Sequence, residues 1–154
     1  MEGVPNKDMS PSAPTEAVLL ASRALLGVIA SSLAPVLDEV TLPVFRLLVV
    51  LTADGPLTTD QLTARTQATD SVVQRTLIEA LAGGLVTVSS TNLVRVEPHG
   101  RALVDEVTER RRLMLAAILG AMSTDAVEAL SDSLRQFAAA AGESPMESTL
   151  ILGL

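Results

Sequence analysis

The chain has 154 residues, 48% hydrophobic and 1% aromatic, with a formal net charge of -7. That length fits one domain with added packing elements, and a core of Leu, Val, Ile and Ala suits helices better than a β-sandwich. The acidic balance argues against general affinity for nucleic acid; the absence of cysteine excludes disulfides and thiolate chemistry, and a lone histidine, His99, excludes a multi-histidine zinc site.

Residues 1–15 are polar, acidic and proline-bearing, unlike the basic start of a secretory signal, and read as a disordered lead-in. From Glu16 to about Leu33 a helix is expected. Its apolar residues, among them Val18, Leu19, Leu20, Leu25, Leu26 and Ile29, lie almost all round the axis, so a partner surface must cover it. The run 17–34 is barely long enough to span a membrane and carries Arg23 and three serines, so the expectation is a cytoplasmic chain with no membrane partner. Pro35 should end or kink this helix.

Thr41 and Pro43 open a second helix with Phe45, Leu48 and Val49 as core, closed by "DGP" at 54–56. Thr58 and Gln61 have the spacing of a capping box for a short helix through Arg65. After the turn "TQAT", Thr69 caps a helix that runs to the Gly83-Gly84 stop, and the two together make a helix-turn-helix. On the wheel of the second helix Val73, Thr76, Leu77, Ala80 and Leu81 share the inner face, with Ser71, Gln74, Arg75, Ile78 and Ala82 on the outer. An outer face of this kind can bond to base edges, Arg to guanine and Gln to adenine.

"LVTVSS" and "NLVRVE" predict a two-stranded hairpin around Thr91-Asn92, ended by Pro98 and Gly100. A long helix is expected from Arg101 to about Met122. Ser123 then caps a last helix whose Val127, Leu130, Leu134, Phe137 and Ala141 are spaced for a facing helix. In the tail, 143–154, the apolar end Leu150 to Leu154 either frays or docks in a groove.

This order of elements resembles the MarR family of winged helix-turn-helix transcription regulators from about Leu19 to Gly142. The stretches that carry it are "TLPVFRLLVVLTADGPLTTDQLTARTQATDSVVQRTLIEALAGGLV" and "VEPHGRALVDEVTERRRLMLAAILGAMSTDAVEAL". The resemblance implies a mainly α fold with a small β-hairpin wing: a winged domain at 41–112, and helical dimerisation regions at 16–40 and 113–142. It also implies a homodimer on a pseudo-palindromic double-stranded DNA operator. Thr69, Ser71, Val72, Gln74 and Arg75 would then serve the reading helix, and Asn92 and Arg95 the wing. A small aromatic ligand is implied between the dimerisation helices and the winged domain, where Arg23, Phe45 and Arg46 are the candidate border.

The chain departs from that family in its wing, which shrinks to "SSTN" where an aspartate and arginines are common. Ile78 and Glu79 stand where a polar and a basic residue are expected, and Val72 replaces a common Ser or Thr. From Pro56 to Arg112 seven arginines are matched by seven acids. The expectation is therefore weak, salt-sensitive nonspecific binding, with useful affinity resting on a specific operator. Arg110 to Arg112 read as surface pairs with Glu106 and Glu109, and His99 as an exposed turn residue. No nucleophile arrangement, glycine-rich phosphate loop or metal cluster is legible, so neither an enzyme nor a cofactor is expected. The alternative function is a winged-helix protein-interaction module that has lost DNA binding and uses Val72, Ile78 and Ala82 on its outer face.

Overall fold

Ser12, in extended backbone, precedes α1 (Ala13–Leu37), with Pro14 in the first turn, where a missing amide hydrogen leaves no bond unmade. The computed structural model describes residues 12–142; what was expected of residues 1–11 and of the tail at 143–154 lies outside them. The first helix thus begins within the segment expected to be disordered, since Pro14 and Glu16 both favour a helix start. It also runs through Pro35 instead of ending there, because Leu33 and Val36 on either side of the proline are buried.

The next helix, α2 (Leu42–Asp54), buries Val44, Phe45, Leu47, Leu48, Val49, Val50 and Leu51. A helix buried on so many successive residues must be enclosed on most sides, with Arg46 the one exposed residue between Val44 and Leu51. A short strand, β1 (Leu57–Thr58), follows, and the enclosing elements come after it. Helix α3 (Thr59–Thr66) starts at the expected capping box, where the Gln61 amide donates to Thr58 Oγ1 at 3.3 Å and the Thr58 amide to Gln61 Oε1 at 2.9 Å. Then follow α4 (Asp70–Ala82), the strands β2 (Val86–Val88) and β3 (Leu93–Val96), and the long helix α5 (Pro98–Gly120). Helices α3, α4 and α5 and strand β3 all pack on α2, while α1 lies along α5.

The predicted hairpin is present, with Asn92 at φ 61° in its turn. It belongs, however, to a three-stranded antiparallel sheet in the order β1-β3-β2, with Leu57 opposite Val94. Two residues are too few to show an alternation, so β1 left no periodic signal. The hairpin ends at Val96, just before Pro98 and Gly100, and these two already form the first turn of α5, which was expected to begin at Arg101; Pro98 stands where proline suits a helix start. Gly100 is buried there: a Cβ would lie 2.5 Å from the Leu85 carbonyl oxygen and 2.9 Å from Leu48 Cδ2.

Helix α5 is tied to α1 at one buried serine. Ser32 is fully enclosed; its Oγ donates to the Ile29 carbonyl at 2.8 Å and accepts from Arg111 Nε at 3.2 Å. Arg110 Nη1 donates to the Ser32 carbonyl at 3.2 Å, in the turn where Pro35 supplies no amide hydrogen. Desolvation by burial holds the Arg111 guanidinium below its ordinary pKa. The surface pairs expected for this run are present for Arg110 with Glu106 at 2.7 Å and for Arg112 with Glu109 at 3.8 Å.

The last helix, α6 (Thr124–Ala140), is capped as expected, Ser123 Oγ accepting from the Ala126 amide at 3.4 Å. None of its residues is buried in the chain; Leu134 is 52% and Phe137 56% exposed. Helix α1 likewise exposes Leu19, Leu20 and Leu26, and by length and composition it could cross a membrane.

Two substitutions test this packing by chemical denaturation. Gly100→Ala should destabilise by about 1–3 kcal/mol through overpacking against Leu85 and Leu48, although alanine in an ordinary helix interior stabilises by about 1 kcal/mol. Leu48→Ala, at a fully buried position on α2, should lose about 2–5 kcal/mol. A stabilised Gly100→Ala protein would contradict the close approach of α5 to the sheet.

Candidate nucleic-acid interface

The orientation of α4 follows from its inner face. Val73, Thr76, Leu77 and Ala80 are buried against the core, as predicted. Leu81, expected with them, is 43% exposed, because it falls at the end of the helix where the Gly83-Gly84 turn leads the chain away. Ser71, Gln74 and Arg75 are left outside, with Ile78 (66% exposed) and Ala82 further along. Thr69 occupies the N-cap position in extended backbone, but its side chain makes no capping bond; its Oγ1 lies 3.1 Å from Ser71 Oγ instead. Two hydroxyls, an amide and a guanidinium thus sit on the first turns of one exposed helix face. Val72 departs from this group: it is half-buried and turned towards α2.

The wing contributes Asn92 and Arg95, both exposed. Its tip closes on itself, with the Leu93 amide donating to Ser89 Oγ at 3.1 Å and Ser89 Oγ 2.9 Å from Thr91 Oγ1. Arg95 stands opposite Thr87 in the β2–β3 pair.

Which charges are available is decided by pairing more than by the sum. Arg65 is held by Asp54, Nε to Oδ2 at 2.6 Å and Nη2 to Oδ1 at 3.1 Å, and Arg110, Arg111 and Arg112 are engaged along α5. Arg46, Arg75, Arg95 and Arg101 make no ion pair or side-chain hydrogen bond among the described residues. Glu79, which stands where a basic residue was expected, accepts from Thr41 Oγ1 at 3.0 Å and so ties α4 to the start of α2. A carboxylate suits the N-terminal end of a helix, so this acid serves the fold. Sequence spacing could not show that link, because the two residues lie 38 positions apart.

Arg23, Phe45 and Arg46 are not brought together. Phe45 is 1% exposed and belongs to the core, since α2 is buried on that side by the rest of the winged domain. Arg23 is exposed on α1. Only Arg46 borders a described crevice, of about 130 Å³, between the start of α2, the α3–α4 turn and the first turns of α4. On the other flank of α4 a crevice of about 190 Å³ is edged by Glu39, Glu79 and His99. His99 is exposed, as expected, but it lies in the first turn of α5 and meets Glu39 Oε1 at 2.8 Å through Nε2. Among the described residues no cluster of His, Cys, Asp or Glu could hold a metal ion.

No family model and no curated protein matches the sequence. Solved structures do. RV1404 from Mycobacterium tuberculosis is 31% identical, with a TM-score of 0.75 over 87% of this chain and 97% of its own. A MarR family protein from Bacillus stearothermophilus is 21% identical, with a TM-score of 0.69 over 87% of this chain and 100% of its own. The Mycobacterium tuberculosis MarR family protein Rv2887, in a complex with DNA, is 21% identical, with a TM-score of 0.59 over 82% and 98%. The chain therefore has the MarR-type winged helix-turn-helix fold, and it is similar to RV1404 across nearly the whole of both chains.

Proposed function

We propose that the protein is a cytoplasmic, dimeric DNA-binding transcription regulator, responsive to a small molecule, with weak nonspecific affinity for DNA. The observation that carries this reading is the outer face of α4, where Ser71, Gln74 and Arg75 are exposed and Arg75 makes no internal ion pair or side-chain hydrogen bond. A helix of that kind fits the major groove and offers bidentate donors to base edges. The DNA held by Rv2887 supports the same use of the fold.

Dimerisation is the second part of the proposal. Leu19, Leu20 and Leu26 of α1, Leu113 of α5 and Leu134 and Phe137 of α6 are all exposed. So much uncovered apolar surface on one chain points to a partner, and a second copy supplies a matching one by symmetry. Two winged domains would then be set for two half-sites, and the operator would be pseudo-palindromic. Arg75 and Arg95, the arginines of the α4 face and the wing that make no internal ion pair or side-chain hydrogen bond, come to four in a dimer, below the roughly six to ten phosphates that a tight binder neutralises. Affinity then rests on base contacts.

One observation favours a second reading. Ile78 and Leu81 expose apolar surface on the α4 flank that would otherwise be polar, as a winged module that grips another protein would.

Three measurements follow. Light scattering should give a dimer for the parent chain, and Phe137→Glu should weaken association by about 2–4 kcal/mol and shift it to monomer. In fluorescence anisotropy with an operator selected from a random pool, Arg75→Ala should cost about 1–3 kcal/mol per half-site and relax specificity at one position in each, whereas Arg95→Ala should weaken all sequences alike and lower the salt slope by about 2, one phosphate contact in each half of the dimer. No binding to any duplex at about 50 mM salt, where phosphate contacts are strong, would decide for the protein-interaction module.

A further inference from the structure

Ile78 breaks the polar pattern on the outer face of α4. It is 66% exposed, more than any other large hydrophobic residue between positions 41 and 112. At about 3.6 residues per turn, the step from Ser71 to Ile78 makes nearly two turns, so these two side chains stand in line along the helix. Gln74 and Arg75, one turn back, lie on either side of that line. Ile78 is thus in the middle of the face and not at its margin. Its neighbour Glu79 is drawn aside: Oε2 accepts from Thr41 Oγ1 at 3.0 Å, which commits that carboxylate to the start of α2. A duplex seated so that Gln74 and Arg75 both reach base edges must therefore also meet an aliphatic side chain that neither donates nor accepts a hydrogen bond.

We propose that Ile78 is a specificity-determining residue, packing on the C5-methyl group of a thymine in the major groove. That methyl is the apolar group that base pairs present there, among hydrogen-bond donors and acceptors. Pressing an isoleucine on to a donor or acceptor would strip its water and return no bond, whereas covering a methyl removes apolar surface from water on both sides. The helix rise places the contact. Ile78 lies about 4.5 Å along the axis from Arg75, against about 3.4 Å for one base-pair step, so the thymine falls within about two base pairs of the base that Arg75 reads. A protein partner would need a contiguous apolar patch on the order of a few hundred Å², and α4 exposes Leu81 as its one other large apolar side chain, with Ser71, Gln74 and Arg75 sharing the face of Ile78. The thymine contact rests on the regulator reading above.

The test uses the full chain in fluorescence anisotropy, with an operator selected from a synthetic pool in which cytosine carries no methyl group. Each thymine is replaced in turn by uracil, which removes the methyl and keeps the base pair, and then by 5-bromouracil, which restores the bulk. At one position near the base read by Arg75, uracil should weaken binding about 4-fold, or about 15-fold when placed in both half-sites, the change for one buried carbon in each. 5-Bromouracil should recover it. In Ile78→Ala the thymine and uracil operators should bind alike at that position; Ile78 is exposed, so this variant should keep the parent melting temperature. A uracil effect that persists in Ile78→Ala, or an operator that tolerates uracil at every position, would overturn the contact and leave the regulator reading standing. No binding to any duplex would overturn both and leave Ile78 to the protein-interaction module.

Discussion

Everything in the winged domain is arranged around the need to enclose α2. Seven of its thirteen residues are buried between Val44 and Leu51, where Arg46 alone is exposed, so nearly every side of this stretch must be covered. The chain meets that demand by wrapping α3, α4, β3 and α5 around it. Once Val73, Thr76, Leu77 and Ala80 of α4 are committed to this enclosure, the helix period leaves Ser71, Gln74 and Arg75 outside. The polar face offered to a partner is thus a consequence of burying an apolar helix elsewhere. The close approach at Gly100 belongs to the same enclosure, since it lets α5 pass the Leu85 backbone and reach Leu48.

Charge is sorted by position in a way that a net sum conceals. Equal numbers of acids and arginines between Pro56 and Arg112 suggest a neutral surface. Pairing divides them: Arg65 closes the end of α2 through Asp54, and the three arginines at 110–112 serve α5 and its joint with α1. Glu79 is spent on Thr41. Of the cations left over, Arg75 stands on the outer face of α4 and Arg95 on the wing. In an acidic chain, a few well-placed guanidinium groups favour recognition that depends on sequence over attraction to any duplex.

Much of this was legible from the chain because local physics governed it. The Thr58 and Gln61 capping box, the Ser123 cap, the hairpin about Asn92 and the inner face of α4 all depend on residues a few positions apart. What escaped depends on distant neighbours. The two residues of β1 become a strand only through β3, and Pro35 stays inside α1, where Leu33 and Val36 beside it are buried. Pro98 could end a hairpin or begin a helix, and the sequence does not choose between them. The candidate border of Arg23, Phe45 and Arg46 failed to assemble for the same reason: proximity of Phe45 and Arg46 in sequence puts them on different sides of α2, one in the core and one at the surface.

The exposed apolar residues of α1 and α6 lead to a single geometric proposal, that two copies hold their α4 helices at a set separation. The chain has no cysteine, so Ala82→Cys, at an exposed position at the end of α4, can carry a spin label without interference. Pulsed dipolar spectroscopy on the labelled protein with a selected operator should give one narrow distance, on the order of one DNA turn (~34 Å), the spacing of successive half-sites. Absence of dipolar coupling, or a broad distribution that the operator leaves unchanged, would contradict it.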